Sequence, residues 1–222
     1  MPFEFHTKRD EANRPLVIYR PHKPGLRSNG IETFTPGRPS MASTKHDPSV
    51  GVNRDIPEPD LKLEPKTHRG AGVIMLDKDE NGHATHAWVV SPTNGFGPST
   101  NTFPKGGHEM TSPSLQHTAC KEVHEETGMI PKITGHLTDQ VRSKGQMWGQ
   151  TCRWYVGERH SGTPSDMGWE TQAVHRVPIH KLVDFVDHQE KPIARMVVEK
   201  YGPPKKDLLG DLLNGLLTSQ SK

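Results

Sequence analysis

Hydrophobic and polar positions along the chain fall into short alternating or continuous runs separated by strong turn signals. Ala71-Gly72-Val73-Ile74-Met75-Leu76 is an apolar run of strand length. Asn81-Gly82 follows as a hairpin turn, and Thr85 to Ser91 reads as the partner strand. A loop from Pro92 to Asn101 precedes a segment of helical period, in which Ala119, Cys120 and Val123 form one apolar stripe. Further strands are expected near Ile133 to Leu137, Thr151 to Glu158 and Val174 to Ile179, and Lys181 to Asp187 begins another helix. Strands and helices mixed without regular alternation predict an α+β sandwich. The first 66 residues differ: they hold ten of the twenty prolines and show little periodicity. They are expected to be largely extended or disordered, with Leu16-Val17-Ile18-Tyr19 adding an edge strand and order beginning near Gly70. Near the C-terminus, Leu208, Leu209, Leu212, Leu213, Leu216 and Leu217 make a helical stripe suited to docking on the parent domain or on a second subunit.

The candidate chemistry lies on the helical segment. Lys121-Glu122-Val123-His124-Glu125-Glu126-Thr127-Gly128 places three carboxylates within about 100° of one another on one helix face. Like charges at this spacing destabilise a helix by a few tenths of a kcal/mol per pair, so something should offset them. A solvated acidic face is the commoner explanation of such a cluster. Here the surroundings favour a built site: Ser112 as N-cap, Pro113 at the first helical position, a core-facing stripe beside the acidic row, and Gly128 as the C-terminal stop. A hard divalent cation is the natural counter-charge, because Mg²⁺ takes oxygen ligands and shares them with substrate phosphates.

The stretch Gly107 to Met129 resembles the Nudix box, G-x5-E-x7-R-E-U-x-E-E-x-G-U with U apolar. Gly107, Glu122, Val123, Glu125, Glu126, Gly128 and Met129 stand in register. Pro113 replaces the first Glu of the box and Lys121 replaces its Arg; Glu109 lies too early to be its equivalent. Lys121 keeps the charge and reaches Glu125 one turn on, without the planar fork of Arg. The approach Thr102-Phe103-Pro104-Lys105-Gly106-Gly107 and the later Asp166 to Val174 segment are also similar to Nudix domains.

That resemblance implies an α/β/α sandwich with a mixed β-sheet, divided as a 1–66 extension, a 67–190 hydrolase domain and a 191–222 C-terminal helical extension. It implies Mg²⁺, with Mn²⁺ as substitute, held by Glu122, Glu125, Glu126 and the Gly106 carbonyl. Glu122, Glu125 and Glu170 are the expected catalytic carboxylates, with Asp166 as a further candidate base. Lys105, Arg142, Lys144 and Arg153 are candidate phosphate contacts, and Phe96 or Trp148 could stack a base. The implied reaction is hydrolysis of a phosphoanhydride in a nucleoside diphosphate linked to another moiety, such as a dinucleoside polyphosphate or an ADP-ribose-like compound. Diphosphoinositol polyphosphates, RNA 5′ ends and a non-cleaving nucleotide sensor are the alternatives.

Composition bounds this without deciding it. A net charge of +2 announces no broad basic surface, so a small-molecule substrate is expected rather than nucleic acid. Two cysteines without a metal-binding spacing suit reduced thiols in the cytoplasm. No apolar run is long enough to span a membrane and no signal-peptide core is present, so no membrane partner is expected; a homodimer is one use for the leucine stripe.

Overall fold

In a computed structural model, the described residues are 4–9, 15–18, 26–28, 30–35, 47–59, 68–93, 101–109, 111–141, 151–168 and 170–204. The strands are β1 (Glu4–Arg9), β2 (Pro15–Ile18), β3 (Leu26–Ser28), β4 (Ile31–Phe34), β5 (His68–Lys78), β6 (Ala84–Pro92), β7 (Lys105–Gly107), β8 (Met129–Val141), β9 (Thr151–Gly162) and β10 (Thr171–Pro178). The helices are α1 (Leu115–Thr127), α2 (Leu182–Phe185) and α3 (Lys191–Tyr201). Eight strands form one sheet in the order β3-β4-β10-β6-β5-β9-β8, with β7 paired beside β5. The β5–β9 pairing is parallel and the others are antiparallel, so the sheet is mixed.

The apolar run of β5 is continuous because both of its faces are covered. Ile74 and Leu76 join Trp154, Val156, Val89 and Val177 on one face, under Leu182, Ile193, Ala194 and Val197. Val73 and Met75 join Tyr155, Trp88 and Val90 on the other, under Leu115, Ala119, Cys120 and Val123. The result is the α/β/α sandwich and α+β class that the sequence predicts. Helix α3, placed by the sequence pattern in a C-terminal extension, buries Ile193, Ala194 and Val197 in this core. Both cysteines are buried, and burial pushes the Cys120 thiol up to about 12.

The β5–β6 hairpin turns where Asn81-Gly82 predicts it. Asp79 Oδ1 accepts from the Asn81 and His83 backbone N–H groups, each at 2.9 Å, and Gly82 takes φ 81°. The strand from Ile133 to Leu137 is longer than expected and starts directly after the Gly128 cap.

The N-terminal region corrects the expectation that order begins near Gly70. Val17 and Ile18 do form a strand, but β2 pairs with β1 in a separate two-stranded sheet. It is β3 and β4 that extend the main sheet, through β10. Residues 47–59 lie across α1 and β8. Gly51 packs so tightly on the Pro131 carbonyl and Cys120 Sγ that a Cβ there would overlap both. Gln116 Oε1 accepts from Asn53 N–H at 2.8 Å, and Gln116 Nε2 donates back to the Asn53 carbonyl at 3.1 Å. These contacts are non-local, which is why proline content alone misjudged the segment.

Candidate active site

Helix α1 is set by its two ends. The N-cap is Ser114, not Ser112: its backbone is extended (φ −159°, ψ 169°) and its Oγ accepts from His117 N–H. Pro113 therefore lies before the helix, while Ser112 Oγ accepts from Thr118 Oγ1 at 3.0 Å. The Leu115 N–H is taken by Glu58 Oε2 at 3.0 Å, a carboxylate well placed for the positive end of the helix dipole. Glu58 also accepts from the Tyr155 hydroxyl. At the other end Gly128 adopts φ 70°, in the left-handed region, and its N–H donates to the His124 carbonyl at 2.8 Å.

With α1 held in this way, its acidic row faces β7. The Gly106 backbone lies directly against the Glu122 carboxylate, where a Cβ would overlap it. The Lys105 N–H donates to Glu126 Oε2 at 3.0 Å. Gly72 lets β5 come close enough to seat β7, since a Cβ there would overlap Pro104, Lys105 and Trp154. Glu125 faces Lys121 at 3.9 Å, and Lys121 also binds Glu109 at 2.8 Å. Glu109, though too early in the motif to match its first Glu, thus supplies a carboxylate to the basic residue of the box.

Glu170 joins from outside the helix. The Gly168 N–H donates to the Glu125 carbonyl at 2.8 Å, docking residues 164–168 on α1. Thr93 N–H then holds the Glu170 carbonyl at 2.7 Å. The exposed Glu170 carboxylate is close enough to raise the pKa of both Glu122 and Glu126.

Electrostatics sets these carboxylates apart. Glu122 is pushed up to about 7, first by burial and then by the charge of Glu125. Glu126 is also raised, by burial foremost; the Lys105 ammonium opposes this and Glu122 adds to it. Both residues keep some contact with solvent, yet the protein crowds them enough for burial to dominate. Desolvated anions packed together are a poor arrangement for the protein alone and a good one for a hard cation. The donors are all oxygen, which suits Mg²⁺ or Mn²⁺ better than softer metals. Among the described residues, no three His, Cys, Asp or Glu side chains are already gathered at ion-holding spacing. The fit therefore rests on donor chemistry and charge.

The structure thus brings together Lys105, Gly106, Glu122, Glu125, Glu126 and Glu170. Asp166 is exposed, and its backbone lies beside the Gly128 cap. Arg153 departs from its expected role as a phosphate contact. It is 7% exposed, binds Asp139 at 2.9 Å, donates to the Pro57 carbonyl at 2.8 Å and covers the Tyr155 ring. Its neighbours on β8 and the 47–59 segment consume the guanidinium as a structural tie. The Lys105 ammonium is likewise engaged, 3.1 Å from Glu190 Oε1. Arg142, Lys144, Phe96, Trp148 and the leucine stripe lie outside the described residues. Glu58 and Glu190 were missed from sequence. Glu58 lies in a Pro-Glu-Pro context that reads as linker, and Glu190 carries no local motif at all.

A family model described as NUDIX domain matches residues 66–200. No curated protein matches the chain. Among solved structures, a MutT described for Aliivibrio salmonicida and Vibrio cholerae is 15% identical, with a TM-score of 0.49 over 61% of this chain and 100% of that one. A Caenorhabditis elegans Ap4A hydrolase is 15% identical, with a TM-score of 0.49 over 60% and 96%. A NUDIX hydrolase from Nitrosomonas europaea is 15% identical, with a TM-score of 0.48 over 61% and 88%. Likenesses at this level carry no argument about substrate.

Proposed function

The chain belongs to the NUDIX domain family, a pyrophosphohydrolase by that membership, and from this premise we propose that it cleaves nucleoside diphosphates linked to another moiety. Dinucleoside polyphosphates and ADP-ribose-like compounds are the preferred substrates. The observation that carries the reading is the packing of Glu122 and Glu126 against the β7 backbone, with Glu170 within electrostatic reach of both.

Glu122, Glu125 and Glu126, with the Gly106 carbonyl, would hold Mg²⁺ or Mn²⁺. When bound, such an ion supplies charge neutralisation on phosphoryl oxygens and lowers the pKa of a coordinated water. The remaining work falls to the chain. Gly106 lacks a Cβ, so the β7 backbone comes directly against the Glu122 carboxylate and its carbonyl can share a cation with it. The Lys105 N–H fixes Glu126, and Lys121 restrains Glu125. A carboxylate oxygen of Glu170, carried by a separate segment, takes the proton from the attacking water as general base.

We further propose that the substrate is a small molecule rather than nucleic acid, that the protein acts in the cytoplasm, and that the C-terminal leucines pair two copies. Among the described residues no helix is long and apolar enough to cross a membrane. The chain divides, in this proposal, into a 1–66 N-terminal segment, of which β3, β4 and residues 47–59 pack on the catalytic body, a catalytic body from 67 through α3, and a C-terminal tail.

The test is release of phosphate and nucleotide from a panel of phosphoanhydrides with Mg²⁺, comparing wild type with Glu126→Gln. The panel includes diphosphoinositol polyphosphates and triphosphorylated RNA. Cleavage of a nucleoside diphosphate compound, abolished in the variant, is the expected result. Turnover of only the inositol or RNA members would move the substrate class. Binding of nucleotides without turnover, equal in both proteins, would replace the hydrolase with a sensor.

A further inference from the structure

Lys105 is tied into the protein at both ends, and the two ends lie on opposite faces of the sheet. Its backbone N–H donates to Glu126 Oε2 at 3.0 Å, on the α1 face. Its ammonium turns to the α3 face, where Nζ is 3.1 Å from Glu190 Oε1. There it also donates to Thr102 Oγ1 and, at 3.3 Å, to the Phe103 carbonyl, and it stands 5.8 Å from the centre of the Trp154 ring. Thr102 Oγ1 donates in turn to Glu190 Oε1 at 3.0 Å. The side chains of Lys105 and Glu190 are 15% and 2% exposed. An exposed pair would contribute little, but one this enclosed is costly to break, because losing either partner strands a buried charge.

Glu190 directly precedes α3 and is held there by the chain itself. Its N–H donates to the Asp187 carbonyl at 2.9 Å, and its carbonyl accepts from Ala194 N–H at 2.9 Å. The Lys105 ammonium remains near enough to Glu126 to favour its ionised form. With Glu190 uncharged, Glu126 is a carboxylate whose charge that ammonium already influences.

We propose that Glu190 is a positioning residue: it holds the Lys105 ammonium on the α3 face, so that Lys105 hydrogen-bonds Glu126 through its backbone N–H rather than its ammonium and leaves Glu126 open to a divalent cation. This rests on the reading of the acidic face as a cation site. It makes α3, far from the box in sequence, part of what sets cation affinity. It also gives the lysine before Gly106-Gly107 a task other than binding phosphate.

The experiment is direct binding of Mn²⁺ to the full chain, followed by electron paramagnetic resonance, for wild type, Glu126→Gln, Glu190→Gln and the double variant Lys105→Met/Glu190→Gln. Glu126→Gln should lose most binding. Glu190→Gln should bind on the order of tenfold more weakly, the size expected for coupled neighbouring groups, and the double variant should return to within about threefold of wild type. Glu190→Gln binding like wild type, while Glu126→Gln does not, would overturn the proposal and leave the cation site standing. A wild type that binds no Mn²⁺ would overturn both. If Glu190→Gln fails to fold, the double variant decides, since it strands no charge. Near-wild-type affinity supports the proposal, and a loss as large as that of Glu126→Gln refutes it.

Discussion

The two faces of the central sheet treat polar groups in opposite ways. On the α2/α3 face, the polar groups around His175 form a connected hydrogen-bond chain. His175 lies between Thr33 Oγ1 at 2.9 Å and Ser91 Oγ at 2.8 Å, and Ser91 Oγ donates to Asn101 Oδ1 at 2.8 Å. That order assigns the ring proton to Nε2, leaving Nδ1 to accept from Thr33. Asn101 Nδ2 donates onward to the Phe185 carbonyl at 2.9 Å. On the α1 face, Glu122, Glu125, Glu126 and Glu170 crowd like charges together, and burial raises Glu122 to about 7. One face pairs the polar groups it buries, and the other keeps a like-charge cost that a counter-charge would offset. Surplus like charge opposite a hydrogen-bonded face is what marks the candidate site.

The largest expected break in this contrast is Glu122→Gln. It should lower kcat by about 10²–10³-fold, as removal of a preorganised charge does, while melting temperature holds or rises because a desolvated anion is gone. A melting temperature that falls steeply with activity would make Glu122 structural. Gly106→Ala comes next. Its Cβ must push aside the Glu122 carboxylate, so activity should fall on the order of 100-fold with an overpacking cost of about 1–3 kcal/mol. Steady-state kinetics beside chemical denaturation separate the two effects.

His175 tests the matched face. Burial pulls its pKa from 6.5 down to about 4, so protonation favours the unfolded chain. Its contribution is fully present above pH 6.5 and is lost as pH falls from there to about 4. The loss is about 3 kcal/mol at most. Urea unfolding at pH 7 and pH 4.5 reads this, and His175→Gln should flatten the slope. The same slope in the variant would assign the pH dependence to other groups.

The smallest effect on catalysis is expected from Arg153→Ala. With its guanidinium committed to Asp139 and Pro57, loss should destabilise the protein by about 3 kcal/mol and leave KM unchanged. A raised KM with unaltered stability would return Arg153 to the phosphates.

Much of the candidate site was legible in the sequence because it is local. Glu122, Glu125 and Glu126 share a helix face by period alone, and Gly106, Gly128 and the Asn81-Gly82 turn are glycines whose neighbours explain them. The N-cap was misread by two residues, since Ser112 and Ser114 flank the same proline and only backbone geometry distinguishes them. Arg153 was misjudged because β9 lies between β5 and β8, and Asp139 opposes it only through cross-strand register. Glu58 and Glu190 were invisible because their partners, Leu115 and Lys105, are distant in sequence.

Composition, periodicity and motif spacing determined the α+β class, the acidic helix and the family, because these depend on residues within one or two turns of each other. Tertiary structure alone decided which charges are committed and which remain crowded. It sent Arg153 and the Lys105 ammonium to buried carboxylates, folded residues 47–59 over α1, and brought Glu170 to the acidic row. A side chain's electrostatic role depends on what surrounds it within a few ångströms, and most of those neighbours come from other parts of the chain.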